Sequence, residues 1–283
     1  MSKGFKLTFL AALSWAVSII LTKFIFKLGE NAYNLTFWGA LLSLPYWLYI
    51  LSKTTKELKR ITKQDYLILL GIALISTVGV AISENFALKY GLAINFSFLI
   101  RTVILFTMLF AYLFLKEKFT LKKIILAVLI LSGAYLLTSN GQALALTKGD
   151  IFTLIEAALI ALGNNVFGKV ATNRMSPNLS ASVTPLLDFI PIAIITLLNQ
   201  TIAIPKSWLL LLLITFFGLL ITIFRYHGLK HASASYVTMI FSFTPVMVAF
   251  MAMPLLKETL SPVQMFGGVL IVLAGVAVEK LKI

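Results

Sequence analysis

The sequence contains no cysteine, two histidines and only ten acidic residues among 283. The first absence excludes a disulfide framework and any thiolate metal site. His227 and His231 are too few and too isolated to build a zinc site. Charge of either sign is scarce: 12% of residues are charged, against about 25% in soluble domains. No GxxxxGK[ST] loop occurs, so no ATP site drives a pump. No GxSxG or HExxH occurs, so no familiar hydrolase constellation is present. No residue set implies a cofactor. What is there instead is apolar surface. The chain is 60% hydrophobic with a mean hydropathy of +0.98, and a chain this apolar cannot cover itself in water, so it belongs in lipid. The net charge of +14 does not point to nucleic acid, because the basic residues sit in short loops between apolar runs, where membrane orientation accounts for them.

A helix needs roughly 20 mostly apolar residues to cross a bilayer. Charge and turn punctuation divide the chain into ten such runs: 7–26, 34–51, 65–88, 92–115, 122–139, 150–171, 179–199, 207–229, 233–256 and 261–280. The first follows Lys3 and Lys6 in the manner of a signal peptide. No small-residue cleavage site follows it, and it is expected as a retained span. Of the 24 basic residues, Lys23, Arg101, Lys169 and Arg225 fall within spans. Lys27, Lys89, Lys148, Lys206 and Lys257 fall on the side opposite the N-terminus, and the other fifteen share the N-terminal side. That bias predicts both termini in the cytoplasm of a multi-pass protein of the cell (inner) membrane.

The stretch "LFLKEKFT" at 113–120 is echoed by "PLLKETLS" at 254–261, with Lys116-Glu117 and Lys257-Glu258 standing 141 residues apart. At that offset "ALKYGLAINFSFLIRTVILF" (87–106) falls on "GLKHASASYVTMIFSFTPVM" (228–247), "VLIL" at 128–131 falls on "VLIV" at 269–272, and one inserted residue brings Gly133 onto Gly275. The chain therefore reads as two five-helix units, 1–141 and 142–283. Five is odd, so the second unit enters from the opposite side. The expected fold is all-α: ten transmembrane helices in two inverted repeats, an architecture recurrent in secondary transporters with substrate near the midplane.

Ten spans, two five-helix repeats, a Leu/Lys-Glu ending on the fourth helix of each and a glycine-bearing fifth helix resemble the EamA-type branch of the drug/metabolite transporter superfamily. The resemblance covers essentially the whole chain. It implies small residues early in the fourth and ninth helices and a proline midway. The second unit matches with Ala232, Ser233, Ala234, Ser235 and Pro245. The first departs, with Gly91, Leu92 and Ala93, Ile104 in place of the proline, and Arg101 where Ser242 stands. Characterised relatives mostly export amino acids and other small metabolites, some with proton coupling.

Ionisable groups inside a span are functional candidates by default. Glu84 and Arg101, roughly 8 Å apart in depth at 1.5 Å per residue, are expected to pair, as a gate, a proton site or a plain structural bridge. Arg225 either lines the pathway or snorkels to headgroups. Asp188, between Pro185 and Pro191, has Arg225 as its nearest partner by depth. Glu156 either lines a cavity or caps the start of its helix. Asn165 and its neighbour Asn164 either pack helices or contact ligand. Asn95, Phe98 and Arg101 share a face of the fourth helix, as Tyr236, Met239 and Ser242 do on the ninth. Trp15, Phe98 and Tyr236 are candidates to stack on a ligand, while Trp38, Trp47 and Trp208 read as interfacial belt residues. Glu117 and Glu258, at helix ends beside lysines, read as structural.

The expectation is thus a secondary transporter, not an enzyme, that exports small metabolites, foremost amino acids, by alternating access. Substrate and the bilayer are its partners, with protons entering through Glu84, no nucleic acid, and a monomer or homodimer as the unit. The rival substrates are nucleotide sugars and other phosphorylated metabolites, with Arg101 and Lys23 as cations. A membrane-embedded lipid-processing enzyme is the rival of another class, and its nucleophile or metal cluster is not found.

Overall fold

The computed structural model describes residues 1–90, 93–256 and 259–281. Gly91, Leu92 and the second Lys257-Glu258 pair lie outside the described residues. Among those described, every regular element is helical, and ten helices run back and forth: α1 Lys3–Lys27, α2 Ala32–Lys53, α3 63–90, α4 93–115, α5 Leu121–Ser139, α6 Lys148–Arg174, α7 Pro177–Leu198, α8 Trp208–His231, α9 234–256 and α10 Pro262–Leu281. A single turn, Thr55–Leu58, joins α2 to α3. Among the described residues, all but α3 and α4 are by length and composition apolar enough to cross a membrane. The expected runs match these helices to within about a turn.

Local sequence sets the helix starts. Ser2, Asn31, Thr120, Ser176, Ser207 and Ser233 each accept from a backbone N–H of the first turn they precede. Thr62 with Asp65, and Thr147 with Asp150, form capping boxes. Each satisfies donors that no helical carbonyl can reach. The Lys-Glu punctuation has a local cause too. Lys116 takes the left-handed conformation (φ 56°) that ends α4, which turns the chain and releases Glu117 toward a neighbouring helix.

Lateral packing follows a pattern. α1 lies on α8 as α3 lies on α6; α1 touches α9 as α6 touches α4; α2 pairs with α7, α4 with α9, and α5 with α10. Exchanging the first five helices for the last five maps these pairings onto themselves. The tightest crossing is α5 on α10, where a Cβ on Gly133 would stand 2.6 Å from the Gly267 carbonyl oxygen, and one on Gly267 equally close to that of Gly133. Only glycine lets two backbones meet there, the small-residue device of membrane helices. The main buried cluster joins α1, α4, α5, α9 and α10 through Phe5, Met108, Ile130, Met239 and Phe243. Large apolar side chains such as Phe216, Phe250 and Leu273 stay exposed on the perimeter, where lipid rather than water covers them.

The Ser2 backbone N–H donates to Glu279 Oε1 at 2.7 Å and its hydroxyl to Oε2 at 3.1 Å. The start of α1 and the end of α10 therefore meet on one face. Of the belt residues, Trp38 and Trp208 stack edge to face at 5.3 Å on the opposite face, with Trp38 Nε1 donating to the Ala203 carbonyl. Trp47 corrects the expectation: it is 2% exposed and packs with Ala181 and Tyr226, because α2 turns it into the seam with α7.

Four helices lose regular geometry at mid-length. α3 carries a π-helical stretch at Leu74–Gly79 and α6 one at Ile160–Phe167. α4 tightens into a 3-10 turn at Ile100–Thr102, and α9 breaks at Ser242 between Ala234–Phe241 and Phe243–Leu256. Pro245 explains the last: it has no N–H for the Phe241 carbonyl, and its ring crowds it. The breaks in α4 and α9 stand at the offset of 141 that relates Arg101 to Ser242.

Candidate functional site

The irregular stretches of α4, α6 and α9 border a cavity of about 260 Å³ where α1, α4, α6, α8 and α9 converge. Arg101 enters from the 3-10 turn of α4, Asn165 from the π-helical stretch of α6, Ser242 from the break in α9, Trp15 from the midpoint of α1 and Arg225 from the last two turns of α8. Irregular backbone at membrane depth is tolerated where it is buried or lines a cavity, and π-bulges concentrate at functional sites. The walls between these groups are apolar, with Ile100, Ile104, Ile160 and Ile221.

The polar groups are held by one another. Arg225 Nη2 donates to Asn165 Oδ1 at 2.9 Å, and Asn165 Nδ2 donates to Thr107 Oγ1 at 2.9 Å. Thr107, fully buried on α4, thus orients the amide that orients the guanidinium. The Arg101 guanidinium lies over the Trp15 ring, 5.8 Å from its centroid, and its buried Nε–H has no acceptor. Among the described residues no carboxylate lines the cavity.

Five of the ten expected site residues therefore meet: Trp15, Arg101, Asn165, Arg225 and Ser242. The other five do not join them. Asn95 donates to both carboxylate oxygens of Asp150 at 3.0 Å and to the Ala145 carbonyl at 2.8 Å, tying α4 to the start of α6. Phe98 stacks edge to face on Tyr135 of α5 at 5.4 Å. Tyr236 lies toward the face of the termini, its hydroxyl donating to Glu279, beside a wide depression among helix ends. Asp188 lies within electrostatic reach of Tyr226 on α8. Glu84 lies within electrostatic reach of Glu156, which is 3% exposed with Oε2 unpartnered.

Two expectations are corrected. Arg101 does not meet Glu84, because its side chain crosses to Trp15 on α1 while α3 packs along α6 and brings Glu84 toward Glu156. Arg225 does not snorkel to headgroups: its hydrogen bond goes inward to Asn165. The second cation of the cavity is thus Arg225 rather than Lys23. Sequence reasoning missed Thr107, Thr238 and Phe241. Thr238 was findable, one turn before Ser242 on the same face; Thr107 is an isolated hydroxyl in an apolar run.

On the face of the termini the two halves are bound together. Glu117 accepts from the backbone N–H groups of Ala234 (2.8 Å) and Ser235 (3.4 Å) and from the Ser235 hydroxyl (2.7 Å) at the N-terminus of α9. Lys123 stands 3.6 Å away on its other side. A carboxylate on the positive end of a helix dipole is worth about 0.3–1 kcal/mol, more where partly buried. Arg174 pairs with Asp65, and the Lys169 and Lys230 ammoniums donate to the Leu229 and Thr172 carbonyls.

Comparison with known proteins agrees with this architecture. Over 224 residues the chain is 29% identical to an uncharacterized transporter of Methanothermobacter thermautotrophicus, a match spanning 77% of this chain and 65% of that relative's length. A crystal structure with 16% sequence identity superposes with a TM-score of 0.79, covering 99% of this chain and 98% of the other, which establishes a shared fold. The EamA-like transporter family profile matches twice, over residues 2–139 and again over 147–278, and the chain accordingly belongs to the EamA-like transporter family, within the drug/metabolite transporter superfamily.

Proposed function

We propose that this transporter exports small metabolites, foremost amino acids, across the cytoplasmic membrane by alternating access, without enzymatic chemistry. The observation that carries the reading is the central cavity: polar groups from both halves converge at mid-depth, on the helix breaks. Two units, 1–141 and 142–283, pack by interchangeable pairings. Rocking one against the other exchanges their conformations and moves the opening from one face to the other. The lysine bias places both termini, and the Glu117 and Asp65 contacts, on the cytoplasmic side. Loss of those contacts accompanies opening inward, in a monomer or homodimer.

Cavity size supports the substrate class. A volume of about 260 Å³ falls just below the roughly 300–1,000 Å³ of drug-sized pockets, which suits an amino acid better than a nucleotide sugar. A small phosphorylated metabolite is the second reading, favoured by the two guanidiniums. Protons are the proposed coupling ion, through Glu84 with Glu156 as its neighbour.

Counterflow in proteoliposomes tests the proposal. Vesicles loaded with single amino acids are expected to trap labelled substrate for a subset of them, with a dependence on the pH gradient that Glu84→Gln abolishes. Absence of trapping for every amino acid, from folded protein, rejects the amino-acid class. A pH dependence unchanged in Glu84→Gln removes that residue from coupling.

A further inference from the structure

The central cavity is an electrostatically incomplete site. Arg101 and Arg225 line it together, and the lining offers neither of them an aspartate or glutamate. Charged groups within a membrane protein normally pair with one another or with backbone carbonyls. Arg225 has only the neutral oxygen of Asn165. Arg101 has the face of Trp15, with Nε–H unpartnered.

Both guanidiniums are nevertheless held in place. The Thr107–Asn165 amide chain fixes one, and the other rests over the indole ring of Trp15. Planar donor forks held rigid are the geometry that recognises carboxylate and phosphate bidentately. A charge set aside for a proton or a cationic ligand has the opposite sign.

Resting on the reading of this cavity as the substrate site, we propose that its ligand is a small organic oxyanion, with a carboxylate or phosphate head held between Arg101 and Arg225. The hydrocarbon part of the ligand lies against the isoleucine wall and Phe241. Thr238 and Ser242 line the same space, and their hydroxyl oxygens, which donate to helix carbonyls, keep acceptor capacity for the ligand. The ligand carries net negative charge, which among amino acids selects those with a second carboxylate, because the described lining offers the two guanidiniums no aspartate or glutamate.

Binding, measured without transport, tests this separately from the function. Purified full-length protein in detergent is titrated with succinate, glutamate and inorganic phosphate, and with succinamide as the neutral match to succinate, by calorimetry and by the shift in unfolding temperature. At least one of the three anions is expected to bind, succinamide at least tenfold more weakly than succinate if carboxylate is the head group, and phosphate alone if it is not. Arg101→Gln and Arg225→Gln are each expected to weaken the anion tenfold or more, and raised salt to weaken it further. Arg101→Lys keeps the charge without the fork, so it controls for variants that fold poorly and is expected to fall between. Failure of all three anions to bind, succinamide binding as well as succinate, or anion binding unchanged in a folded Arg101→Gln protein overturns the proposal. Anion binding without counterflow would leave it standing and reject the transport reading instead.

Discussion

At the scale of the residue, each polar side chain is defined by its partner more than by its depth. Depth along the helix put Glu84 beside Arg101, and that pairing fails because rotation about the helix axis decides which neighbour a side chain meets. Rotation depends on packing and is only weakly written in one sequence. The aromatic and polar residues that do reach the cavity were legible as types: a tryptophan at mid-span, an amide in a glycine-flanked stretch, a serine three residues before a proline. Outside the membrane the partners are simpler, and Glu30 shows it. Its carboxylate, in the loop between α1 and α2, accepts from Asn34 Nδ2 at 2.8 Å and from the backbone N–H groups of Asn31 at 3.0 Å and Lys206 at 2.8 Å. Partial burial works to raise its pKa, but those hydrogen bonds and the Lys206 charge outweigh burial and hold it below its ordinary value of 4.5. A carboxyl whose folded pKa is depressed contributes stability above its unfolded pKa and loses it as pH falls through the folded value. Wild type is therefore expected to unfold at a higher temperature than Glu30→Gln at neutral pH, with the gap closing below pH 4.5. A gap independent of pH would show that the charged form of Glu30 contributes nothing.

At the scale of the element, helix ends were readable because caps are local chemistry, and helix interiors were not. The breaks at Ser242 and in Ile100–Thr102 occupy matching positions, yet only the former has a proline after it, so sequence alone marked one and not the other. The π-helical stretches of α3 and α6 carry no proline at all and arise where the two helices pack on each other. Glycine repeats misled in a different way. The internal alignment pairs Gly133 with Gly275, but the backbone contact is between Gly133 and Gly267, while Gly275 makes room for the Phe243 ring. Gly133→Ala is expected to force α5 and α10 apart and to destabilise by about 1–3 kcal/mol, the usual range for overpacking. Gly268→Ala, which meets nothing within 4 Å, is expected to be neutral or slightly stabilising through helix propensity. Thermal unfolding of the two variants in one detergent decides it: equal shifts would mean that the α5–α10 contact yields freely.

At the scale of the whole molecule, the helix count, the charge bias and the inverted halves form one argument with a single weak joint, the orientation. Ten helices and the contact of Ser2 with Glu279 put both termini on one face, but which face is cytoplasmic rests on lysines alone. The absence of cysteine makes the test clean. Lys56, in the turn between α2 and α3, and Leu146, in the loop before α6 and 89% exposed, are separated by α3, α4 and α5. Three crossings place them on opposite sides of the membrane. Lys56→Cys and Leu146→Cys each carry the sole thiol of the chain, so a membrane-impermeant maleimide reports position without background. In intact cells Leu146→Cys is expected to label and Lys56→Cys to label only after permeabilisation. The reverse result would invert the orientation and move the Glu117 and Asp65 contacts to the outer gate while leaving the fold untouched. Labelling of both from outside would break the ten-helix path, and with it the odd count of five that makes the two halves mirror images across the membrane.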